Sequence, residues 1–177
     1  MEPQNENEAY EILLCWHLEV FTQRLREIPP EKWNWQPELP APSPRILAEH
    51  AWQWLRCDRQ HIFEPDVSKH DRIPDPPADQ QAMCDVLAEE TETWRQLIRG
   101  LTPEPLLETR KQFGENPINV RGFVCHMIQN CIYKHGQLST IYFALGLDGT
   151  GPYTAPFPNR IYENMQKLQA ARQAQGG

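Results

Sequence analysis

The sequence predicts an all-α protein, an up-down four-helix bundle with long crossover loops and a short C-terminal helix. Four long segments place apolar residues at three- and four-residue steps, which is the spacing of one buried helix face. Prolines cluster between these segments rather than inside them, as expected for loops that join helices. No segment shows the sustained alternation of apolar and polar residues that is typical of half-buried strands.

The first two helices are bounded by recognisable start and stop signals. The first helix is predicted over residues 8–28, and the two prolines that follow end it. The second is predicted over residues 44–63, with Ser43 as its N-cap and Pro44 in its first turn. The apolar stripe predicted for the first helix contains Ile12, Cys15, Trp16, Glu19 and Val20 at helical spacing. Five further apolar residues widen it: Leu13, Leu14, Leu18, Phe21 and Leu25.

The other two long helices are delimited in the same way. The third is predicted over residues 79–100, where Asp79 is a suitable cap and Gly100 a suitable stop. The fourth is predicted over about residues 118–145 and ends at Gly146. The lengths of these segments match those of helices in four-helix bundles.

One domain accounts for the whole chain. Its 177 residues are enough for a single core, so residues 1–177 are predicted to form one helical bundle domain. The core is expected within about residues 8–150, and a C-terminal tail and helix within 151–177. The apolar residues of that last helix, at about residues 159–175, are few.

Charge and cysteine content limit the class of partner and the compartment. The formal net charge of −7 disfavours nucleic acid as a partner, because phosphate binding needs an excess of Lys and Arg. No apolar run approaches the ~20 residues of a membrane span, and the first residues do not resemble a signal peptide. The five cysteines are scattered and form no CxxC pair. We therefore expect a reduced, cytoplasmic protein with neither a nucleic-acid nor a membrane partner.

The most informative stretch is "HMIQNCIYKHGQLSTIYFALG", residues 126–146, in the fourth helix. His126 and His135 are nine residues apart, so at about 100° per residue they point to opposite sides and cannot share one ion. One face of the helix carries Val124, Ile128, Cys131, His135, Leu138 and Tyr142, and the other carries His126, Asn130, Tyr133, Lys134, Gln137 and Ile141.

Each of these faces allows more than one interpretation. Cys131 and His135 are four residues apart and are either core residues, a metal pair or a cysteine nucleophile with its base. The second face is either a solvated surface or part of a site. Two further histidines, His61 and His70, lie at the edge of a long polar loop or within it and are expected to be exposed to solvent. Four tryptophans are predicted to pack in the core, and the alternatives are that they line a cavity or a dimer face. They are Trp33, Trp35, Trp52 and Trp54.

Residues 126–146 resemble the last bundle helix of the DinB/YfiT-like superfamily of bacterial four-helix bundles, in which a Gly-Gln pair follows a histidine-rich turn. "PAPSP" and "PSPRILAEHAWQW" resemble the start of that superfamily's second helix, and "LTPEPLLETR" with "GENPINVRGFVCHMI" resembles the approach to its last helix. The similarity spans most of residues 8–150. It implies the bundle fold, a homodimer and, in typical members, a divalent metal held by three histidines.

The resemblance places the three metal-ligand positions at His50, Asn130 and Lys134, just before Gly136 and Gln137. A Lys ammonium repels a divalent cation and an amide oxygen is a weak ligand for zinc or nickel, so no cofactor with the full family ligand set is expected. A divalent metal, zinc or nickel, at His50 is the alternative. Two variants of it stay open: a residual site of His50 with His17, His126 or a carboxylate, and a helix shift that turns His135 inward.

Two functions follow from the resemblance, and whether the chain is an enzyme stays open. The first is a bundle with a degenerate metal site that binds a small molecule, with an anion favoured because Lys134 is cationic. Its candidate cavity residues are His50, Asn130, Lys134, His126 and Gln137. The second is a divalent-metal-dependent thiol transferase or hydrolase with His50 as a ligand.

Overall fold

A computed structural model describes residues 5–37, 41–111 and 117–147. The α-helices and β-strands, in chain order, are α1 (Glu6–Glu27), α2 (Pro44–Phe63), α3 (Gln80–Gly100), α4 (Pro103–Leu107), β1 (Thr109–Lys111), β2 (Pro117–Asn119) and α5 (Val120–Ala144). Two 3₁₀ turns, Pro30–Lys32 and Val67–Lys69, lie in the loops. The predicted all-α class is confirmed, and the four long helices begin and end within two residues of their predicted bounds. The predicted helix at 159–175 lies outside the described residues.

Side-chain caps explain where the long helices begin. The Ser43 hydroxyl accepts the N–H of Ile46 at 3.2 Å, and Asp79 accepts the N–H of Ala82 at 2.9 Å. Both predicted caps are therefore confirmed, and each such bond contributes about 1 kcal/mol. Asn119 caps α5 in the same way.

A left-handed glycine ends α5. Gly146 has a φ of 69°, a conformation that costs glycine little because it has no Cβ. Its N–H donates to the carbonyl of Phe143 at 3.1 Å, and the N–H of Leu147 donates to the carbonyl of Tyr142 at 3.0 Å. The stop predicted at this glycine is thus confirmed.

Two neighbours of α1 define the bundle. Gln80, at the start of α3, donates to the carbonyls of Leu25 and Ile28 at the end of α1, so these two helices are antiparallel. Arg121, at the start of α5, pairs with Glu6 at the start of α1 at 2.7 Å, so α5 runs parallel to α1. Both neighbours also pack against α2.

The direction of α2 makes the following loop a crossover. His61, near the end of α2, stacks on Phe123 near the start of α5, with ring centroids 5.5 Å apart, so these helices are antiparallel. It follows that α2 and α3 run in the same direction. The connection over residues 64–79 must therefore return along the bundle, as the predicted crossover loops require.

Buried tryptophans link neighbouring elements across the apolar core. Trp94 is fully buried and its indole N–H donates to the carbonyl of Leu55 at 3.1 Å. Trp33, in the loop after α1, is also buried and donates to the carbonyl of Ala78 at 3.1 Å. The largest fully buried side chains are Trp94, Phe21, Phe123, Leu14, Leu18, Leu25, Ile28, Leu47, Leu55, Met83, Leu87 and Ile98.

Three predictions about local structure need correction or addition. Glu19 was predicted on the buried stripe of α1 but is exposed and pairs with Arg95 of α3 at the rim. The other core residues of α1 agree with the predicted stripe, and the buried ones are Leu14, Cys15, Leu18, Phe21 and Leu25. The short helix α4 and the antiparallel β1–β2 pair, with Arg110 opposite Ile118, were missed because such short elements carry no periodic signal.

None of the helices within residues 5–37, 41–111 and 117–147 is both long and apolar enough to span a bilayer. All five cysteines are free thiols, of which Cys15, Cys84 and Cys131 are buried.

Candidate functional site

Lys134 places a buried amine on α5. Only 5% of its surface is exposed, and burial lowers its pKa because the charged form is poorly solvated there. The nearby Cys131 is the one group that opposes this shift of the Lys134 pKa. Within the described ranges, no carboxylate forms an ion pair with the amine and no side chain hydrogen-bonds to it. Lys134 is thus a cation held without a described counter-charge.

His50 lies on α2 within electrostatic reach of this amine. Burial lowers the pKa of His50, and the charge of Lys134 lowers it further. The imidazole Nε2 of His50 accepts the indole N–H of Trp54 at 2.9 Å. Because Nε2 is the acceptor, the proton of the neutral ring is assigned to Nδ1. His50 itself is exposed, so solvent reaches the pair from the α2 side.

The other predicted cavity residues do not all join this pair. Asn130, one turn before Lys134, is half-buried. The Gln137 amide donates to the hydroxyl of Tyr133 at 3.3 Å, and Tyr133 is exposed at 65%. Only the Nε2 end of Gln137 faces this exposed ring, because its Oε1 is buried and has no hydrogen-bond partner among the described residues. The structure brings together His50 and Lys134, with Asn130 one turn away on α5.

His126 belongs to a second polar group, centred on Asp58. Its Nδ1 lies 2.7 Å from Oδ2 of Asp58, whose side chain is fully buried. The hydrogen bond from His126 to Asp58 raises the pKa of His126, while burial raises the pKa of Asp58. The edge of the Trp54 ring packs against His126 with centroids 5.4 Å apart. Trp54 thus contacts both His126 and His50, which were predicted to line one cavity, and lies between them.

Asp58 also belongs to a potential metal-binding group on α2. The donor atoms of Cys57, Asp58 and His61 all lie within 4.8 Å of one another, and these residues could hold a metal ion. The prediction that His61 is exposed was wrong, because only 4% of its surface is exposed. Its ring packs between Phe123 and His70, which turns it inward.

Cys131 and His135 form a buried pair without the features of a nucleophile and base. Burial raises the pKa of the Cys131 thiol to about 12, so the reactive thiolate is scarce near neutral pH. Burial also lowers the pKa of His135 to about 4. The ring of His135 lies 5.9 Å from that of His17, on the α1 side of α5. Core packing is the interpretation that these positions support.

The sequence pattern of the DinB superfamily matches residues 13–138. The chain belongs to the DinB superfamily. No curated protein matches the chain. Crystal structures with this fold include a DinB-like protein from Bacillus subtilis, with a TM-score of 0.63 and 17% identity over 78% of this chain and 92% of that one.

Two further crystal structures support the same fold. A conserved protein from Enterococcus faecalis aligns with a TM-score of 0.60 and 16% identity, covering 77% of this chain and 94% of its own. A DinB-like protein from Bacillus cereus aligns with a TM-score of 0.59 and 18% identity, covering 80% of this chain and 95% of its own. Identities this low establish the fold of a DinB superfamily member and no activity.

The metal that the DinB/YfiT-like resemblance implies does not fit the residues at its expected position. A buried ammonium at Lys134 places positive charge where a divalent cation would need a ligand. The Nε2 lone pair of His50 is already used by Trp54. Asn130 adds at best a weak amide oxygen. These three residues therefore do not make a zinc or nickel site in this arrangement.

The group of Cys57, Asp58 and His61 on α2 was not predicted from the sequence, although its spacing is a recognisable signal. Cys57 and His61 are four residues apart, so they share one face of a helix, and Asp58 lies three residues before His61. The spacing was readable in "CDRQH". The spacing did not predict a site because His61 comes just before a polar loop, where exposure to solvent is expected.

Proposed function

We propose that this chain is a DinB superfamily bundle that binds a small anion at the position where the resemblance expects a metal ion. The observation that supports this proposal is the buried amine of Lys134, which has no carboxylate partner among the described residues. A buried charge is costly unless an opposite charge compensates it. A bound anion supplies that charge, and a Lys ammonium is a frequent phosphate-binding group.

The neighbouring side chains suit an anion better than a cation. With Nε2 of His50 occupied by Trp54, the Nδ1–H of the neutral ring is a donor. The amide of Asn130, one turn from Lys134, supplies further donors. Carboxylates and phosphates share this chemistry, so the proposal names the class of small oxyanions. A cytoplasmic location and a homodimer stay predictions.

A metal-dependent thiol transferase or hydrolase is the second candidate function. The observation that favours it is the Cys57–Asp58–His61 group, which could retain an ion on α2 even though the position at His50 does not suit one. The two candidates differ in the group that an added ligand must reach, which is Lys134 in the first case and Cys57 in the second.

Calorimetric titration with two small oxyanions tests the first candidate. Untagged, full-length protein is titrated with inorganic phosphate and, separately, with acetate, at constant ionic strength set by chloride. We expect saturable binding of at least one of them and a loss of affinity of more than about tenfold in Lys134→Met, since charged hydrogen bonds contribute about 1.5–3 kcal/mol. The matched control is Lys69→Met, because Lys69 is 65% exposed and lies in the loop after α2.

The proposal fails if neither anion binds, or if Lys134→Met binds them as tightly as Lys69→Met does. Preference for phosphate over acetate would identify the phosphoryl class, and the reverse would identify carboxylates.

A further inference from the structure

Three potential ligand atoms converge on one face of α2, one to two turns beyond Trp54. The Sγ of Cys57 lies 3.8 Å from the Nδ1 of His61, and an oxygen of Asp58 completes a set within 4.8 Å. Around a tetrahedral zinc ion with bonds of about 2.0–2.3 Å, neighbouring ligand atoms are about 3.5 Å apart. Movements of about 1 Å therefore bring these three atoms to coordination distance.

An unsatisfied oxygen of Asp58 points independently to a ligand. Oδ1 is buried and has no hydrogen-bond partner among the described residues, although Oδ2 accepts the bond from His126. Buried polar atoms without a partner are rare because they lose their hydration without replacement. A cation next to the carboxylate would satisfy this oxygen. The hydrogen bond from His126 would then orient the ligating carboxylate, as such bonds commonly do in metal sites.

We propose that Cys57, Asp58 and His61 bind a divalent transition-metal ion, with zinc the ion that best suits this set of sulfur, oxygen and nitrogen donors. Hard cations such as magnesium and calcium prefer oxygen ligands alone. The site is separate from the superfamily position at His50, which lies seven residues earlier on α2.

Zinc binding exchanges protons in a defined way. The S–H bond of Cys57 breaks, its proton goes to solvent, and a zinc–sulfur bond forms. The hydrogen bond between Nδ1–H of His61 and the carbonyl oxygen of Cys57, whose N and O atoms are 2.8 Å apart, breaks. The ring proton moves to Nε2 and the Nδ1 lone pair binds the ion. Zinc binding therefore releases the thiol proton, and acid should weaken it.

A cleft gives the ion a route from solvent. It has a volume of about 270 Å³ and is lined by Gln53, Trp54, Cys57 and Ile73. Three protein ligands leave one position of a tetrahedral ion open, and the cleft at Cys57 allows water or an outside ligand to occupy it.

Zinc titration of metal-free, untagged full-length protein tests the site. A chromophoric chelator competes for Zn²⁺, and a non-chelating phosphine keeps the thiols reduced. Cobalt replaces zinc in a parallel titration, because a thiolate ligand gives Co²⁺ a charge-transfer absorption. We expect one ion per chain, the thiolate absorption, and a loss of affinity of more than about 100-fold in Cys57→Ser. The matched control, Cys125→Ser, changes an exposed cysteine on α5 and should bind like the wild type.

Three outcomes would overturn the proposal. The first is the absence of binding at micromolar Zn²⁺. The second is equal affinity in Cys57→Ser and Cys125→Ser with circular dichroism spectra like that of the wild type. The third is loss of the ion in His50→Gln with retention in Cys57→Ser, which would place it at the superfamily position. Cys57 is only half-buried, so its change to serine should leave the fold intact.

Discussion

The buried amine of Lys134 on α5 lies close enough to His50 on α2 for its charge to lower the pKa of the imidazole. Burial has the larger effect on that pKa, and the two effects together keep His50 neutral near pH 7. A cation and a neutral donor therefore share the place where the DinB/YfiT-like resemblance expects three histidines and a metal. This pair is the basis of the proposed anion site.

Restoring the histidines should restore a metal site. In a Cys57→Ser background, which removes the thiolate proposed to bind zinc on α2, Asn130→His with Lys134→His should gain at least micromolar affinity for Zn²⁺. The single change Asn130→His should not, because the ammonium of Lys134 remains. Competition with a chromophoric chelator measures both. If the double change gains nothing, α5 does not present positions 130 and 134 to His50 as described.

A buried carboxylate should be important for the packing of α2 on α3. Glu90 is 3% exposed, and its carboxylate accepts from Nε of Arg59 at 2.6 Å and lies 3.6 Å from Arg56. Glu90→Ala leaves these guanidinium groups without their partner, and we expect it to lower the free energy of unfolding by about 3 kcal/mol. Urea denaturation measures this loss. The exposed neighbour Glu89, changed to Ala, should stay within about 0.5 kcal/mol, and equal effects at both positions would contradict the packing.

Two glycines of α5 should respond to alanine in opposite directions. A Cβ at Gly136 would meet open space, so Gly136→Ala should stabilise the helix by about 0.5–1 kcal/mol. A Cβ at Gly122 would come within 2.7 Å of Cδ1 of Ile118, so Gly122→Ala should destabilise by about 1–2 kcal/mol. Thermal unfolding of both variants checks the pair. Destabilisation by Gly136→Ala would mean that this face of α5 is covered.

The buried His135 should make stability depend on pH below neutrality. Its pKa in the folded protein is about 4, well below the ordinary value of 6.5, so protons bind the unfolded chain more tightly. Above about pH 6.5, His135 has no effect on how the free energy of unfolding depends on pH. As the pH falls from 6.5 to 4, His135 lowers this free energy progressively, by about 3 kcal/mol in total, because each pKa unit corresponds to about 1.4 kcal/mol. The raised pKa of His126 acts in the opposite direction, since its proton binds the folded state more tightly.

Denaturation at several pH values measures this dependence. His135→Gln should flatten the decline in the free energy of unfolding between pH 6.5 and 4, whatever its effect on stability at pH 7. The matched control is His70→Gln, which changes a half-buried histidine in the loop after α2. An unchanged slope in His135→Gln would show that this imidazole is protonated as easily in the folded state as in the unfolded one.

The bundle could be predicted because its signals are local and repeated. Helical spacing and caps such as Ser43 and Asp79 depend on a few neighbouring residues. The direction of α2 relative to α3 and the burial of His61 depend on tertiary contacts that periodicity does not encode. The sequence also offered no way to predict that Asp58 would attract His126 across the helix interface, because the two are 68 residues apart. The site was thus predictable in its residue types but not in its pairings.

The pKa of His50, measured by NMR titration with and without inorganic phosphate, tests the anion site most directly. An anion beside Lys134 offsets its charge and favours the imidazolium, so phosphate should raise the pKa of His50 in the wild type. In Lys134→Met the pKa should already be higher without phosphate and should not respond to it. A pKa of His50 that phosphate leaves unchanged in the wild type, or changes equally in Lys134→Met, would contradict the account.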